Sequence, residues 1–161
     1  MIHARVITCS DGVTHSTRVD RSGPAVRELL VANGCDVDEV VVVPDNVEAI
    51  AAAIVRATDD GVRLVVTTGG TGIAPTDVTP EATMTVCQRL VPGLGELMRA
   101  RSIEKAPMAS LSRAQAAVRG KALVVNVPGS PRGAVENLET ILHLIPHALE
   151  LLSGERVERH P

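Results

Sequence analysis

No Phe, Tyr or Trp occurs anywhere in the 161 residues. The core must therefore be assembled from Val, Leu, Ile, Ala and Met, and no ring is available to stack on a nucleobase. Single-stranded nucleic-acid platforms depend on such stacking. A net charge of −3 with no long basic run points the same way, against a nucleic-acid partner. A planar ligand would have to lie between aliphatic side chains and peptide planes. Cysteine is scarce: Cys9, Cys35 and Cys87 stand far apart with no CxxC spacing, as expected of free thiols in a reducing compartment. No apolar stretch approaches the roughly 18–20 residues that span a bilayer. Met1 leads straight into the apolar run Ala4-Arg5-Val6-Ile7-Thr8, with no basic segment or cleavage signal, so the expected location is cytoplasmic.

What is present is ordinary in proportion, with 45% hydrophobic and 22% charged residues. The length suits a single domain over residues 1–161. The most informative stretch runs from Thr67 to Ala82, TTGGTGIAPTDVTPEA. It follows the apolar run Val62-Arg63-Leu64-Val65-Val66 and ends on Thr79-Pro80-Glu81, which reads as a helix start with Thr79 as N-cap and Pro80 at the first helical position. Glycines at 69, 70 and 72 allow a ligand to approach main-chain N–H groups, which near a helix N-terminus form a cradle for phosphate. Asp77 supplies the hard oxygen that a phosphate-bound Mg²⁺ requires. The alternative is a strand-to-helix turn that needs glycine for shape alone.

Apolar, β-branched runs alternate with helix-period segments. Strands are expected at His3–Cys9, Val37–Val43, Val62–Thr67 and Ala122–Val127; helices at Gly23–Asn33, Asn46–Thr58, Pro80–Leu90, Gly93–Ile103 and Pro131–Leu152. The continuous runs Val40-Val41-Val42-Val43 and Leu123-Val124-Val125 suit strands covered on both faces of a parallel sheet. Pro146 should kink the last helix. Lys105–Lys121 reads either as an irregular excursion or as a short hairpin beside the sheet. The alternation implies an α/β layer fold. Ser10-Asp11, Pro44-Asp45, Gly69-Gly70-Thr71-Gly72 and Pro128-Gly129-Ser130 each follow directly on an expected strand. In an open parallel sheet those turns share one edge, where ligands bind.

These segments together resemble the molybdenum-cofactor biosynthesis family of MogA and MoaB proteins, which also includes the G domain of gephyrin. The likeness runs through Ser10-Asp11, Asp20-Arg21-Ser22-Gly23-Pro24, Val43-Pro44-Asp45, Thr68–Ala82, Pro92-Gly93-Leu94-Gly95-Glu96, Leu111-Ser112-Arg113 and Asn126-Val127-Pro128-Gly129-Ser130-Pro131. The resemblance implies a three-layer αβα sandwich around a mostly parallel sheet, usually a homotrimer and in some MoaB members a hexamer. It also implies Mg²⁺-dependent adenylyl transfer, in which ATP and molybdopterin give adenylylated molybdopterin and pyrophosphate. Other molybdenum-cofactor biosynthesis proteins are the further partners it suggests. A non-catalytic, molybdopterin-binding assembly protein of the MoaB type is the alternative. The chain departs from the family pattern at Ser16, often Gly; at Thr76, often Arg; and at Leu94, usually Phe.

On the family pattern Asp77 and Asp45 are the catalytic and metal-linked carboxylates. Asp45-Asn46-Val47-Glu48 reads equally as a helix cap. Gly69, Gly70, Thr71 and Gly72 are assigned to phosphate. Ser10 and Asp11 either reach the ligand or form an Asx-type turn. Ser112, within the matching motif, is assigned with Arg113 to substrate or nucleotide binding. Arg113 pairs either an anionic ligand or a surface carboxylate. Pro128, Gly129 and Ser130 match the pterin-side loop, although Ser130 and Pro131 also read as a helix start. Ser22 is a candidate cap for the Gly23 helix. His143 and His147 have the spacing of two metal ligands but no nearby residue completes a set. Cys9 reads as a buried thiol.

Overall fold

The computed structural model describes residues 1–154. Its seven strands are β1 (His3–Cys9), β2 (Asp36–Val37), β3 (Val41–Val43), β4 (Leu64–Thr68), β5 (Arg89–Leu90), β6 (Gln115–Arg119) and β7 (Ala122–Val127). They form one sheet in the order β2-β1-β4-β7-β6-β5, with β3 also paired to β1. Pairings among β1, β2, β3, β4 and β7 are parallel, whereas β6 runs antiparallel to β7 and β5 to β6. Every residue of β4 and β7 is buried, as expected for Leu123-Val124-Val125, whereas Val41 and Val42 of β3, also expected to be covered on both faces, are exposed because β3 pairs with β1 alone.

Helices cover both faces, which makes the three layers. On one face α2 (Ser22–Ala32), α5 (Pro92–Lys105), α6 (Pro131–Leu142) and α7 (Ile145–Ser153) pack through Val26, Leu30, Met98, Leu138, Ile141 and Ile145 onto Val6, Val66 and Val125. On the other, α3 (Val47–Asp59) and α4 (Thr79–Val86) place Ile50, Ile54 and Ala82 against Ile7, Val65 and Val124. The two sets alternate along each strand, so the period-two pleat sends successive side chains to opposite layers. A short α1 (Asp11–Thr14) and a 3₁₀ turn (Pro107–Leu111) complete the described chain.

Four expectations need correction. The single strand Val37–Val43 is two, and Asp38-Glu39-Val40 lies between them. Asp38 there keeps its N–H on Ala4 O of β1 (3.2 Å), but its carboxylate takes Arg5 Nε at 2.8 Å and its carbonyl Arg27 Nε at 3.0 Å, which removes the carbonyl from the ladder. The helix expected to reach Leu90 stops at Val86, because Gln88 N–H joins the sheet at Val118 O (2.9 Å) and Arg89–Leu90 becomes an edge strand. The long last helix breaks at His143-Leu144 into α6 and α7, with Pro146 in the first turn of α7. At the start of α4 the cap position falls on Val78, and Thr79 lies inside the helix. The Lys105–Lys121 segment resolves into the 3₁₀ turn and the β6 arm of a hairpin, turning at Gly120 with φ +56°.

Candidate active site

Strand register decides where the polar turns fall. Thr8 of β1 pairs with Thr68 of β4, and Thr68 with Val127 of β7, while Cys9 pairs with Val43 of β3. The strands therefore finish level, and the turns after them meet over one sheet edge. A cavity of about 910 Å³ opens there. Its lining takes in Ser10, Asp45, Gly69, Gly70, Thr71, Gly72, Asp77, Ser112, Pro128, Gly129 and Ser130 of the expected site residues, but neither Asp11 nor Arg113.

The glycine loop is held from behind. Gly69 and Gly70 have φ of +101° and +68°, a region that side chains disfavour. A Cβ at Gly69 would meet the Cys9 carbonyl oxygen, and one at Gly70 the Thr79 hydroxyl. Fully buried Thr79 donates its Oγ1–H to Gly69 O at 2.9 Å and its N–H to Gly70 O at 3.1 Å. Arg113 continues the clasp: its N–H reaches Thr71 O (2.7 Å), Nε Gly72 O (2.8 Å) and Nη2 Asp77 O (2.7 Å), and Nη1 pairs Glu81. The loop carbonyls are thereby committed. The N–H groups of Gly70, Thr71 and Gly72 donate to no protein atom among the described residues. Consecutive free N–H groups following the positive-φ turn at Gly69 and Gly70 form an anion-receiving nest.

Carboxylates face this nest. Asp45 N–H donates to Asp11 Oδ1 at 2.9 Å and Asp11 N–H to Asp45 Oδ2 at 3.0 Å, a reciprocal lock between the β1 and β3 turns. Asp11 is thus spent on placing Asp45. The Asp45 carboxyl titrates above the ordinary range, pushed up by burial and by the charges of Asp11 and Asp77, against the lowering effect of the Asp11 N–H. Asp77 Oδ2 accepts Ala74 N–H at 2.9 Å. Two anionic side chains crowded beside a phosphate cradle suit a divalent cation shared with phosphate oxygens, the usual way Mg²⁺ is held. No group of three or more His, Cys, Asp or Glu suited to a metal occurs among the described residues, and His143 and His147 fall on either side of the α6–α7 break.

The neighbouring turns are capped locally. Ser10 Oγ accepts Val13 N–H (3.2 Å) at the start of α1, and Ser130 Oγ accepts Gly133 N–H (3.1 Å) at the start of α6. Asp20, not Ser22, caps α2 by accepting Gly23 N–H at 3.0 Å. Gly129 approaches Gly69 so closely that a Cβ would lie 3.2 Å from its Cα. Cys9 is buried under the loop and its thiol is pushed up to about 12 by desolvation, partly opposed by a contact with Thr79, so it is no nucleophile. Sequence reasoning missed the bracing roles of Thr79 and Arg113, whose partners are set by the fold; for Arg113 they lie 32–42 residues away in the chain. It also missed the exposed aliphatic lip of the cavity, Val19, Ile73 and Met108.

A level parallel-sheet edge carrying a free-N–H nest, paired carboxylates and capped turns defines an α/β protein built to receive a phosphorylated ligand. The family model described as "Probable molybdopterin binding domain" matches residues 5–147. A molybdopterin adenylyltransferase of Helicobacter pylori strain J99 is 39% identical over 161 residues, covering 98% of this chain and 91% of the relative. The crystal structure of the molybdopterin biosynthesis enzyme MoaB from Thermus thermophilus superposes with TM-score 0.89 at 44% identity, covering 96% of this chain and 98% of the other. The Mog protein of Mycobacterium ulcerans gives 0.88 at 35% identity over 94% and 99%. The chain belongs to the MogA/MoaB family of molybdenum cofactor biosynthesis proteins.

Proposed function

We propose that this protein is a molybdopterin adenylyltransferase. The terminal phosphate oxygen of molybdopterin attacks the α-phosphorus of ATP, the bond from that phosphorus to the bridging oxygen of the β-phosphate breaks, and pyrophosphate leaves. A phosphate nucleophile is already anionic, so no base and no covalent enzyme intermediate are needed. The observation that carries the reading is the run of free N–H groups at Gly70, Thr71 and Gly72, held outward by Thr79 and Arg113. Such donors are fixed before charge builds on the phosphate oxygens, which is where preorganisation lowers a barrier. Asp45 and Asp77 would hold Mg²⁺. Bound there, the ion neutralises triphosphate charge and orients the displacement. The aliphatic lip of Val19, Ile73 and Met108 suits the planar rings that a chain without aromatics must otherwise leave uncovered.

The family resemblance extends the proposal to a homotrimer, or a hexamer as in some MoaB proteins, working in the cytoplasm. Mass measurement in solution tests the assembly. No helix among the described residues is long and apolar enough to cross a membrane. For activity, α-labelled ATP, molybdopterin and Mg²⁺ are combined and adenylylated pterin is followed. Asp77→Asn should cut turnover by about 100-fold or more while leaving the melting curve in place. Tight molybdopterin binding without turnover at any Mg²⁺ concentration would instead make the protein a binding module.

A further inference from the structure

The sheet divides the cavity into two electrostatic halves. On the side that leads into α3 and α4 lie Asp45 and Asp77. On the side that leads into α2 and α6 lie Arg18, Asp20, Arg21, Ser22, Gly129 and Ser130. Arg18 and Arg21 are the basic residues of the lining, and neither guanidinium makes an ion pair or hydrogen bond among the described residues. The adjacent carboxylate gives them nothing, because Asp20 is spent on Thr8 Oγ1 (2.7 Å) and Gly23 N (3.0 Å). Both arginines are exposed, like Arg56 and Arg89, which also stand without a side-chain partner among the described residues, whereas the more buried Arg5 and Arg113 are engaged; what sets Arg18 and Arg21 apart is that they line the cavity. The loop that carries the pair is ordered, since Thr17 and Arg18 N–H both donate to Gly12 O at 2.9 and 3.0 Å.

We infer that Arg18 and Arg21 clamp the phosphate monoester of the acceptor substrate. The inference rests on the adenylyl-transfer reading and adds to it which substrate these residues serve. Displacement at phosphorus runs in line, with the attacking and leaving oxygens on opposite sides of the α-phosphorus. The glycine nest and the carboxylate half hold the triphosphate and its cation, so the leaving pyrophosphate lies there. The attacking phosphate then comes from across the cavity, where the unpaired arginines stand. Guanidinium forks match phosphate oxygens bidentately and hold a dianion that two carboxylates on the far side would otherwise repel. Asp45 and Asp77 would hold the divalent cation that accompanies the nucleotide, while the acceptor phosphate meets the arginines directly.

The test is a binding cycle without turnover. Affinities of the wild-type chain and of Arg18→Gln/Arg21→Gln are measured by equilibrium dialysis for molybdopterin, for molybdopterin freed of its terminal phosphate, and separately for Mg·ATP. The double substitution should weaken molybdopterin binding by about a hundredfold, leave the dephosphorylated pterin within about twofold, and change Mg·ATP little. Arg18→Lys/Arg21→Lys should recover part of the loss, and its steady-state KM should rise for molybdopterin but not for ATP. Equal weakening for both pterins, or a loss confined to Mg·ATP, would overturn the assignment. A wild-type chain that binds molybdopterin in this pattern but never turns it over would refute the adenylyl-transfer reading while leaving the clamp standing.

Discussion

Thr79→Val isolates the bracing of the glycine loop. Valine keeps the shape of threonine and loses the hydroxyl. Thr79 is 0% exposed, and its Oγ1–H is the partner of the buried Gly69 carbonyl at 2.9 Å. The backbone bond from Thr79 N to Gly70 O survives the change. One buried acceptor is left unsatisfied, a cost of about 1–3 kcal/mol. At this chain length each kcal/mol moves the melting temperature by roughly 2–4 °C, so a drop of about 2–12 °C is expected by differential scanning calorimetry. The functional consequence is separate from the loss of stability. A Gly69 carbonyl without its donor no longer ties the loop to Thr79, and the aim of the nest N–H groups should loosen with it. Mg·ATP affinity by titration calorimetry, well below the melting range, should fall by about tenfold or more. Thr79→Ser, which keeps the hydroxyl, should restore most of it. If Thr79→Val binds Mg·ATP like the wild type and melts at the same temperature, the hydroxyl is not what shapes the loop.

Two other substitutions test the electrostatics and the backbone. Burial, with the charges of Asp11 and Asp77, lifts the folded-state pKa of Asp45 above its unfolded value, so its stabilising contribution is present at low pH and is lost as pH rises through the folded pKa. Asp45→Asn should therefore melt at or above the wild type at pH 7, with the gap closing by about pH 3, and Mg²⁺ should raise the melting temperature of the wild type more than that of the variant. A wild type more stable than Asp45→Asn at pH 7 without metal would contradict that sign. Ser16 sits at φ +58°, the one positive-φ non-glycine among the described residues, and its structural bond is from its backbone N–H to Val13 O. Ser16→Gly should gain about 0.5–1 kcal/mol in urea unfolding, the αL penalty less the added freedom of the unfolded chain; an unchanged midpoint would mean the strain is relieved elsewhere.

The sequence discloses those parts of the fold whose cause is local. β1 and β7 stand at the residues expected, because an apolar run bounded by polar turns leaves a strand no alternative. The turns after parallel strands could be placed on one edge before any coordinates, since strand direction alone puts them there. What could not be read depends on partners far away in the chain. The gap between β2 and β3 is made by Arg5 and Arg27 acting on Asp38, and the early end of α4 by a strand that begins at Gln115. At the site the same division holds. Glycines and aspartates announce themselves by type and spacing, whereas the clasp of Arg113 on Gly72 and Asp77 carries no signature near either end.

The antiparallel hairpin has a mechanical consequence. Arg113 stands just ahead of β6, and Gly129 just beyond β7, so the two ends of one ribbon hold the glycine loop and the loop of Pro128, Gly129 and Ser130 together. Gln115 and Asn126 are paired in register between them. The ribbon works as a yoke: neither loop can swing without dragging its fellow. Any opening that admits two substrates and releases two products would then fall to the sides of the cavity that the ribbon does not hold.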